Sequence, residues 1–532
     1  MIQTKSVIAA RSRVIVVGAG IAGLAAAARL AHAGYAVRVL ERHGEPGGKI
    51  RCLPSPAGPV DSGPTVLTLR DVFDDLFAAL GERLEDHVDL TRQHLIARHF
   101  WRDGSRLDLF DDEARNIAAI HAFAGARAAQ QFSAFAARAR QLFQGFDAPM
   151  MRAANPSIIA LARHVMAHPR LAGRMAPLSS MDTLLRRSFD DPRLVQLFGR
   201  YATYVGGSPY RAPALLSLIW QAESAGVWAV RGGMHRLAHA LADLALRHGA
   251  DFHYGAHVQE IRVAETSVTG VTLVDGCRMD AEIVLFNGDP RALATAALGQ
   301  DCARVAPQTM NLPRSLSAEV WAFAAQPSGP DLAHHNVFFR DTPKPEFDAL
   351  ERGETAPAPT LYVCAMDRGF DTPAPRIERF EIIANAPPLT VTAAKPQNED
   401  FLSCQTRIFR TLTQFGLRFD PVPDARAMTT PRDFDTLFPQ TAGSLYGQSP
   451  HGTMAAFQRP TARTPIKGLY LAGGGTHPGA GVPMATLSAQ HAVAAILNDR
   501  ISTSMSRPTA MPGGMSTGSA TTAPARSVSS DS

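Results

Sequence analysis

The stretch Val14-Ile-Val-Val-Gly18-Ala-Gly20-Ile-Ala-Gly23, near the start of the chain, decides the fold. It is a short apolar strand that runs into a GxGxxG turn, and the alanine-rich segment Ile21–His32 after it predicts a helix. Gly18 permits the tight turn, Gly20 lets the backbone approach a pyrophosphate, and Gly23 lets the helix pack on the strand. The N-terminus of that helix offers unpaired N–H groups to the phosphates. The pattern therefore predicts a dinucleotide-binding βαβ unit.

The second strand of this unit, Ala36–Glu41, ends in a carboxylate. Glu41 stands where an acidic side chain accepts hydrogen bonds from ribose hydroxyls. A GxGxxG turn alone leaves NAD or a methyl donor open as the ligand. The glycine pair in Gly47-Gly48-Lys49 follows within a few residues and would let the chain pass close to the diphosphate and ribityl region of FAD. We therefore predict FAD rather than NAD.

A second glycine-rich segment, from Gly468 to Met484, lies about 450 residues further on. A predicted strand, Leu469–Ala472, leads into a glycine loop, and Pro483 stands in the first turn of a predicted helix, a position that favours proline. The dipole of such a helix would stabilise negative charge at the N1/C2=O edge of a flavin. The two glycine segments therefore predict that the chain leaves the nucleotide-binding core, builds a second domain and returns to complete the cofactor pocket.

Length and composition exclude several classes of protein. A chain of 532 residues predicts two or more packing units. The net charge of +5, without a lysine-rich run, does not indicate nucleic acid binding. Five scattered cysteines without a CxxC pair predict neither a metal site nor disulfides, and indicate reduced thiols in the cytoplasm. We expect no signal peptide and no membrane-spanning helix.

The middle and end of the chain differ in character. Residues 71–200 are predicted to be mostly helical. Within them, residues 151–200 carry eight arginines, no lysine and three aspartates among apolar side chains. This region fits equally an interfacial surface that binds anionic lipid and the solvated face of a helical domain. Residues 502–532 contain almost no large apolar side chains and are predicted to be disordered.

Catalytic side chains are less clearly marked. His477, inside the C-terminal glycine loop, lies near the expected flavin. A loop or substrate contact is favoured for it over a direct catalytic role. Removal of a hydride by a flavin from an activated C–H bond does not require a strong protein base. If a base acts, Glu223 and the aspartates of the helical region are unranked candidates.

Several motifs resemble those of bacterial carotenoid and phytoene desaturases. The resemblance spans roughly residues 12–500 and includes the C-terminal glycine segment with Ser488, and the block Asp61-Ser-Gly-Pro-Thr-Val66. Within that family, further blocks look most like hydroxyneurosporene (methoxyneurosporene) desaturases, the 1-hydroxycarotenoid 3,4-desaturases. These blocks are Gly63–Thr68, Tyr204–Pro213, Leu361–Arg368 and Leu437–Tyr446, with Ser444 where the family pattern has Gly and Met366 where it has Gln.

The resemblance implies an α/β protein with a Rossmann-like FAD-binding domain of the glutathione-reductase and amine-oxidase type and a mixed α+β substrate domain. Residues 1–75, 220–292 and 465–500 would form the FAD domain, and residues 76–219 and 293–464 the substrate and membrane-associating domain. The predicted cofactor contacts are Gly18, Gly20, Gly23, Glu41, Arg42, Gly47, Gly48, Lys49, Pro64, Thr65, Val258, Gly473, Gly474, Pro483 and Met484.

The implied reaction is the introduction of a C3–C4 double bond into an acyclic C40 carotenoid that carries a hydroxyl or methoxy group at C1. Such an enzyme would work at the cytoplasmic side of the inner or intracytoplasmic membrane of a photosynthetic bacterium, alongside other carotenoid-pathway enzymes. The alternatives are a phytoene desaturase, a non-redox carotenoid isomerase, an amine oxidase with an aromatic pair beside the flavin, and a non-enzymatic flavin- or lipid-binding scaffold similar to an escort protein.

Overall fold

A five-stranded parallel sheet lies at the centre of the structure, a computed structural model that describes residues 12–389 and 400–505. The strand order is β20-β13-β1-β2-β9, and every neighbouring pair is parallel. The strands are β1 (Arg13–Val17), β2 (Ala36–Glu41), β9 (Asp251–Tyr254), β13 (Ile283–Phe286) and β20 (Leu469–Leu471). The sheet joins segments from the beginning, middle and end of the chain, as the two glycine segments predict.

Each face of this sheet is covered by a different layer. On one face, α1 (Ile21–His32) packs against α9 (His235–Arg247) and α14 (Val482–Met505). The opposite face packs against an antiparallel three-stranded sheet of β10 (Val258–Ala264), β11 (Ser267–Leu273) and β12 (Arg278–Asp280). Successive side chains of a strand point to opposite faces, so a strand segment buried on both faces is apolar, as β1 is after its exposed first residue, Arg13.

A second, eight-stranded mixed sheet forms the other half of the molecule, in the order β18-β14-β17-β16-β15-β6-β7, with β19 also paired to β14. Its strands are β6 (Leu95–Trp101), β7 (Arg106–Phe110), β14 (Ser317–Ser328), β15 (His335–Phe339), β16 (Leu361–Ala365), β17 (Glu378–Ala386), β18 (Arg418–Asp420) and β19 (Met428–Thr429). Two small ribbons pair β3 (Cys52–Leu53) with β4 (Val60–Asp61), and β5 (Leu90–Arg92) with β8 (Trp228–Val230).

Strands β5, β6 and β7 lie inside the region that the sequence predicts to be mostly helical, so that prediction is wrong for residues 90–110. Almost every side chain of β6 is buried, on both faces of the sheet. Such a strand lacks the alternation of apolar and polar residues by which a strand is recognised. Its parallel partner β15 lies more than 200 residues away, and no local pattern reveals that pairing.

A group of helices inserted between β7 and β8 packs over the second sheet. The longest, α3 (Glu113–Phe146), begins where the Asp112 carboxylate accepts the Arg115 N–H at 2.7 Å, and it is interrupted at Gly125 (φ 89°). The other helices of this insert are α4 (Ile158–Ala167), α5 (Pro169–Met175), α6 (Met181–Ser188), α7 (Pro192–Gly199) and α8 (Ile219–Ser224). Elsewhere lie α2 (Asp71–Ala78), α10 (Arg291–Ala294), α11 (Lys344–Glu351), α12 (Phe401–Thr413) and α13 (Pro431–Leu437).

Two features depart from the predicted domain limits. Phe77, Leu80, Leu84 and Val88 pack in the same core as the parallel sheet, so this core extends beyond the predicted boundary at residue 75. Helix α14 continues to Met505, so residues 502–505 are helical where the sequence predicts disorder, and the rest of the predicted tail lies outside the described residues. No helix within residues 12–389 and 400–505 has both the length and the apolar character needed to cross a bilayer.

Candidate active site

The predicted glycine turns meet at one wall of a single large cavity. The Gly47 N–H donates to the Ala19 carbonyl at 2.9 Å, which holds the second glycine loop against the first. A Cβ atom at Gly23 would collide with the Gly18 carbonyl oxygen, and one at Gly48 would lie 3.0 Å from the Cα of Gly20. Because no side chain fits between these loops, a ligand in the cavity can approach their backbone closely. This arrangement fits the pyrophosphate of a dinucleotide.

Glu41 is fixed at the carboxyl end of β2, beside the first turn, and is only 5% exposed. One carboxylate oxygen accepts the Ala19 N–H at 2.7 Å and the other accepts the His43 N–H at 2.9 Å. Each oxygen retains acceptor capacity that suits the hydroxyls of a ribose. Next to it, the buried Nη1 of Arg42 has no hydrogen-bond partner within the described residues. An unpaired polar group in a cavity wall can form a hydrogen bond with a polar ligand.

A cluster of cationic side chains lies where the C-terminal loop passes the cavity. The Lys49 ammonium donates to the Leu445 carbonyl at 2.6 Å, and burial lowers its pKa to about 8 against the attraction of Asp289. Arg459 donates to the Gly474 carbonyl at 2.8 Å, and burial lowers its pKa to about 10. Positive charge that is expensive to bury is stabilised when an anion binds beside it. The cluster therefore suits an anionic part of the cofactor.

The C-terminal loop leads directly into helix α14. The Gly473 N–H donates to the Ser488 hydroxyl at 2.9 Å, which fastens the loop to the second turn of the helix. Pro483 and Met484, in the first turn, line the cavity. The N-terminus of this 24-residue helix therefore stands at the cavity, where its partial positive charge favours a bound group that gains negative charge.

The structure brings almost all the predicted cofactor residues to this cavity. Gly23 does not line it, because Gly23 packs against the β1–α1 turn, and neither does the candidate base Glu223, which lies behind Tyr204. The predicted residues on the lining are Gly18, Gly20, Glu41, Arg42, Gly47, Gly48, Lys49, Pro64, Thr65, Val258, Gly473, Gly474, His477, Pro483 and Met484.

His477 lies at the cavity, but one of its ring nitrogens already has a partner. Its Nε2–H donates to the Ala153 carbonyl at 2.8 Å, and its ring stacks on His491 at a centroid distance of 5.9 Å. Burial lowers the pKa of His477 to about 4. The neutral ring thus ties the C-terminal glycine loop to the segment that follows α3. No base role for His477 or Glu223 follows from these contacts.

The far half of the cavity is formed by residues that no sequence motif marks. The whole cavity has a volume of about 1610 Å³, well above the roughly 300–1,000 Å³ of a typical small-molecule pocket. It therefore has room for a second ligand beside a dinucleotide. The helical insert supplies its apolar walls, which include Phe143, Phe146, Met150, Leu161, Val165, Met175, Leu215, Leu218 and Ile219. In the sequence these residues show only the spacing of ordinary core positions.

Comparison with known proteins identifies the family. A family model described as flavin-containing amine oxidoreductase matches residues 21–497. The chain belongs to this family. The predicted α/β fold with an amine-oxidase-like FAD-binding domain, and FAD as the cofactor, are thereby confirmed.

Individual relatives show which members of the family the chain resembles. The chain is 53% identical to hydroxyneurosporene desaturase of Cereibacter sphaeroides, an alignment that covers 92% of this chain and 99% of that protein. It is 51% identical to hydroxyneurosporene desaturase of Rhodobacter capsulatus, over 92% and 98% of the two chains. Cyclohexylamine oxidase from Brevibacterium oxydans has a similar fold, with a TM-score of 0.55 and 17% identity over 92% of this chain and 100% of that one. The predicted resemblance to hydroxyneurosporene desaturases is confirmed.

Proposed function

We propose that this protein is an FAD-dependent desaturase that introduces a C3–C4 double bond into acyclic carotenoids with a hydroxyl or methoxy group at C1. The observation that carries the proposal is the continuous cavity, which joins the glycine loops of the cofactor site to an apolar chamber walled by the helical insert. An elongated polyene needs such a chamber, because it has almost no polar groups to pair. The 53% identity to a hydroxyneurosporene desaturase supports the choice of substrate class.

The chain's own residues act mainly by holding and shielding the reactants. Bound FAD supplies the hydride acceptor for the oxidation of a C–H bond. The glycine loops and Glu41 hold the dinucleotide, while the apolar side chains of the insert exclude water and align the polyene. Lys49 and the N-terminus of α14 would stabilise negative charge on bound FAD. Nothing in this arrangement requires a strong base.

The test is turnover of 1-hydroxyneurosporene in liposomes by the FAD-loaded protein. Extension of the conjugated system by one double bond moves the absorption maximum of the polyene to the red. Phytoene and a simple primary amine, assayed in parallel, represent the phytoene desaturase and amine oxidase alternatives. The proposal would be contradicted if the flavin-loaded protein left the absorption maximum of the 1-hydroxycarotenoid unchanged. Release of peroxide with the amine would contradict it as well. A Gly20→Val variant serves as the flavin-free control, because its side chain would meet the Asn287 amide.

The proposal includes docking on a membrane surface through α4, α5 and the residues around them. Ile159 is 66% exposed, Met166 72% and Leu178 97%, and none of the α4 side chains is fully buried. Arg163 and Arg170 are exposed among them. Apolar side chains that enter the acyl boundary beside arginines that bind anionic headgroups are the features of an interfacial surface.

The same helices also line the cavity, through Leu161, Val165 and Met175. A polyene dissolved in the bilayer could therefore pass from the docked surface to the site without crossing water. This arrangement supports an enzyme on the cytoplasmic side of the inner or intracytoplasmic membrane, where it would exchange carotenoids with other enzymes of the pathway.

Vesicle flotation tests this docking. The double variant Ile159→Asp with Met166→Asp should reduce binding to vesicles that contain anionic lipid, since two charges would have to enter the acyl boundary. Leu402→Asp is the matched control, because Leu402 is 66% exposed on α12, a helix outside the insert. Equal flotation of the wild type and the double variant would contradict docking through this surface.

A further inference from the structure

Three polar side chains form a connected chain beside the cavity, on two segments of the helical insert. Arg200 begins a 3-10 helix, Arg200–Val205, directly after α7. Its Nη1 donates to the Tyr204 hydroxyl at 3.0 Å, and that hydroxyl donates to Oε1 of Glu223, on α8, at 3.0 Å. Arg200 and Tyr204 line the cavity, whereas Glu223 lies behind them and is 4% exposed. We refer to Arg200, Tyr204 and Glu223 together as the Arg200 relay.

The charges of the Arg200 relay balance one another. Burial raises the pKa of Glu223, and the nearby Arg200 and tyrosines oppose that shift. Burial also disfavours the charge on Arg200, but Tyr204 and Glu223 outweigh it and raise the pKa of the guanidinium. Arg200 therefore remains a cation, held in a fixed direction by Tyr204. A guanidinium has five N–H donors and no acceptor.

Most of the donors of Arg200 remain available to a ligand. Within the described residues Nη1 is the only nitrogen of Arg200 that takes part in a hydrogen bond, and its partner is Tyr204. The Tyr204 hydroxyl, by contrast, both accepts from Arg200 and donates to Glu223. The lining also includes Arg102, Arg186 and Arg193, but each of these is ion-paired with an aspartate. The guanidinium of Arg200 instead donates to a tyrosine.

A single aromatic ring connects the Arg200 relay to the cofactor side of the cavity. The guanidinium carbon of Arg200 lies 5.7 Å from the centre of the Tyr362 ring. The Tyr362 hydroxyl is 2.6 Å from the Thr65 hydroxyl, in the segment predicted to contact the cofactor. In the proposed substrate, only two carbons, C1 and C2, separate the oxygen from the reacting C3. A group that recognises this oxygen must therefore lie near the predicted cofactor contacts, and Arg200 is connected to one of them, Thr65, through Tyr362.

We infer that Arg200 recognises the oxygen at C1 of the carotenoid by donating a hydrogen bond to it, with Tyr204 and Glu223 as positioning residues. The inference rests on the proposed function. Hydroxyl and ether oxygens both accept hydrogen bonds, so a donor-only group binds the 1-hydroxy and the 1-methoxy substrate. A polyene without this oxygen leaves the remaining donors of the guanidinium without a partner, and is therefore disfavoured.

The experiment measures kcat/KM for the 1-hydroxy, 1-methoxy and 1-deoxy forms of the same C40 polyene in liposomes. The wild type should prefer both oxygenated forms over the deoxy form by roughly 10- to 100-fold, the range for a hydrogen bond to a charged donor. Arg200→Gln should lose most of this preference, through slower turnover of the oxygenated forms. Tyr204→Phe keeps the guanidinium but removes the hydroxyl that fixes its position, so it should lose part of the preference. This variant tests the inference even if Arg200→Gln does not fold.

Arg187→Gln is the matched control, because Arg187 is an exposed arginine of α6 that does not line the cavity. It should keep the wild-type preference. If the wild type converts the 1-hydroxy form and both relay variants keep its preference, the inference is overturned while the proposed function stands. The inference would also be overturned if the relay variants kept their flavin but lost kcat/KM equally for all three polyenes. A flavin-loaded wild type that converts none of them would overturn the proposed function and the inference together.

Discussion

Gly47 meets two requirements at the residue scale that only glycine satisfies together. Its φ of 125° lies in the region that side chains disfavour, and a Cβ there would collide with the Ile50 carbonyl oxygen. Its N–H also donates to Ala19, which joins the second glycine loop to the first. The close approach of the two loops, and with it the shape of the nucleotide site, depends on the missing side chain.

Gly47→Ala should therefore weaken FAD binding. The strain of a non-glycine residue in this conformation is roughly 1–3 kcal/mol, which corresponds to about a 5- to 150-fold loss of affinity if it falls on the bound state. Isothermal titration of the apoprotein with FAD measures the change. Gly44→Ala is the control, since a Cβ at Gly44 meets nothing within 4 Å and should leave the affinity unchanged. Equal affinities for the two variants would contradict this reading.

His477 predicts a pH dependence of stability. Its pKa in the folded protein is about 4, lowered from 6.5 by burial. As the pH falls below 6.5 the unfolded chain takes up this proton first, so stability decreases until the pH reaches about 4. The total loss from this group is about 3 kcal/mol.

His477→Gln should reduce that loss, because its amide can still donate to Ala153 but does not titrate. The midpoint of urea unfolding, measured for both proteins between pH 7 and pH 4.5, gives the comparison. His94→Gln removes an exposed histidine, whose side chain is 72% exposed, and should follow the wild type. A variant whose midpoint falls as steeply with pH as that of the wild type would exclude this role for His477.

At the scale of single elements, α1 shows why the first βαβ unit is predictable. Its alanines 25–28 are fully buried between the sheet and the helices α9 and α14. Small side chains let three helices lie close together on one sheet face. The glycine turn, the alanine run and the strand-terminal Glu41 are all local features, so the sequence alone predicts this unit and its ligand class.

Ala27→Leu should destabilise the protein by about 1–3 kcal/mol, because the extra atoms have no space between these helices. Ala33→Leu, at the exposed end of α1, should have little effect. Thermal unfolding of the FAD-loaded proteins measures both. A melting temperature for Ala27→Leu equal to that of the wild type would mean that the helices separate more easily than their burial indicates.

Other elements could not be predicted because their determinants are not local. β6 belongs to the second sheet through a partner more than 200 residues away, and its burial on both faces removes the alternating pattern. In the same way, the Arg200 relay unites residues from two segments of the insert, and neither the lone arginine nor Glu223 stands in a motif. The cofactor half of the site was predictable from glycine spacing, whereas the substrate half depends on how the insert folds.

At the scale of the whole molecule, both halves of the protein line one cavity. The cofactor loops line one part and the helical insert lines the other, so changes in the insert should affect the substrate and spare the cofactor. Ala162, on α4, lines the part of the cavity that the helical insert forms.

Ala162→Trp should reduce kcat/KM for the C40 substrate by roughly 100-fold, the scale expected when a substrate is displaced by about 1 Å. The flavin content, read from the visible spectrum, should not change. Ala162→Ser is the control of similar size and should retain activity. Loss of flavin together with activity in Ala162→Trp would contradict a division of the cavity into two parts.

The position of β20 has a consequence for biosynthesis. This edge strand is translated hundreds of residues after β1, yet it lies in the same sheet and leads into the loop at the cofactor. A nascent chain on the ribosome therefore exposes the free edge of β13 until β20 has been translated, and it cannot enclose a flavin before then. Chains that terminate before β20 should accumulate as colourless polypeptides, and the supply of flavin should matter only after β20 and the loop that follows it have been made.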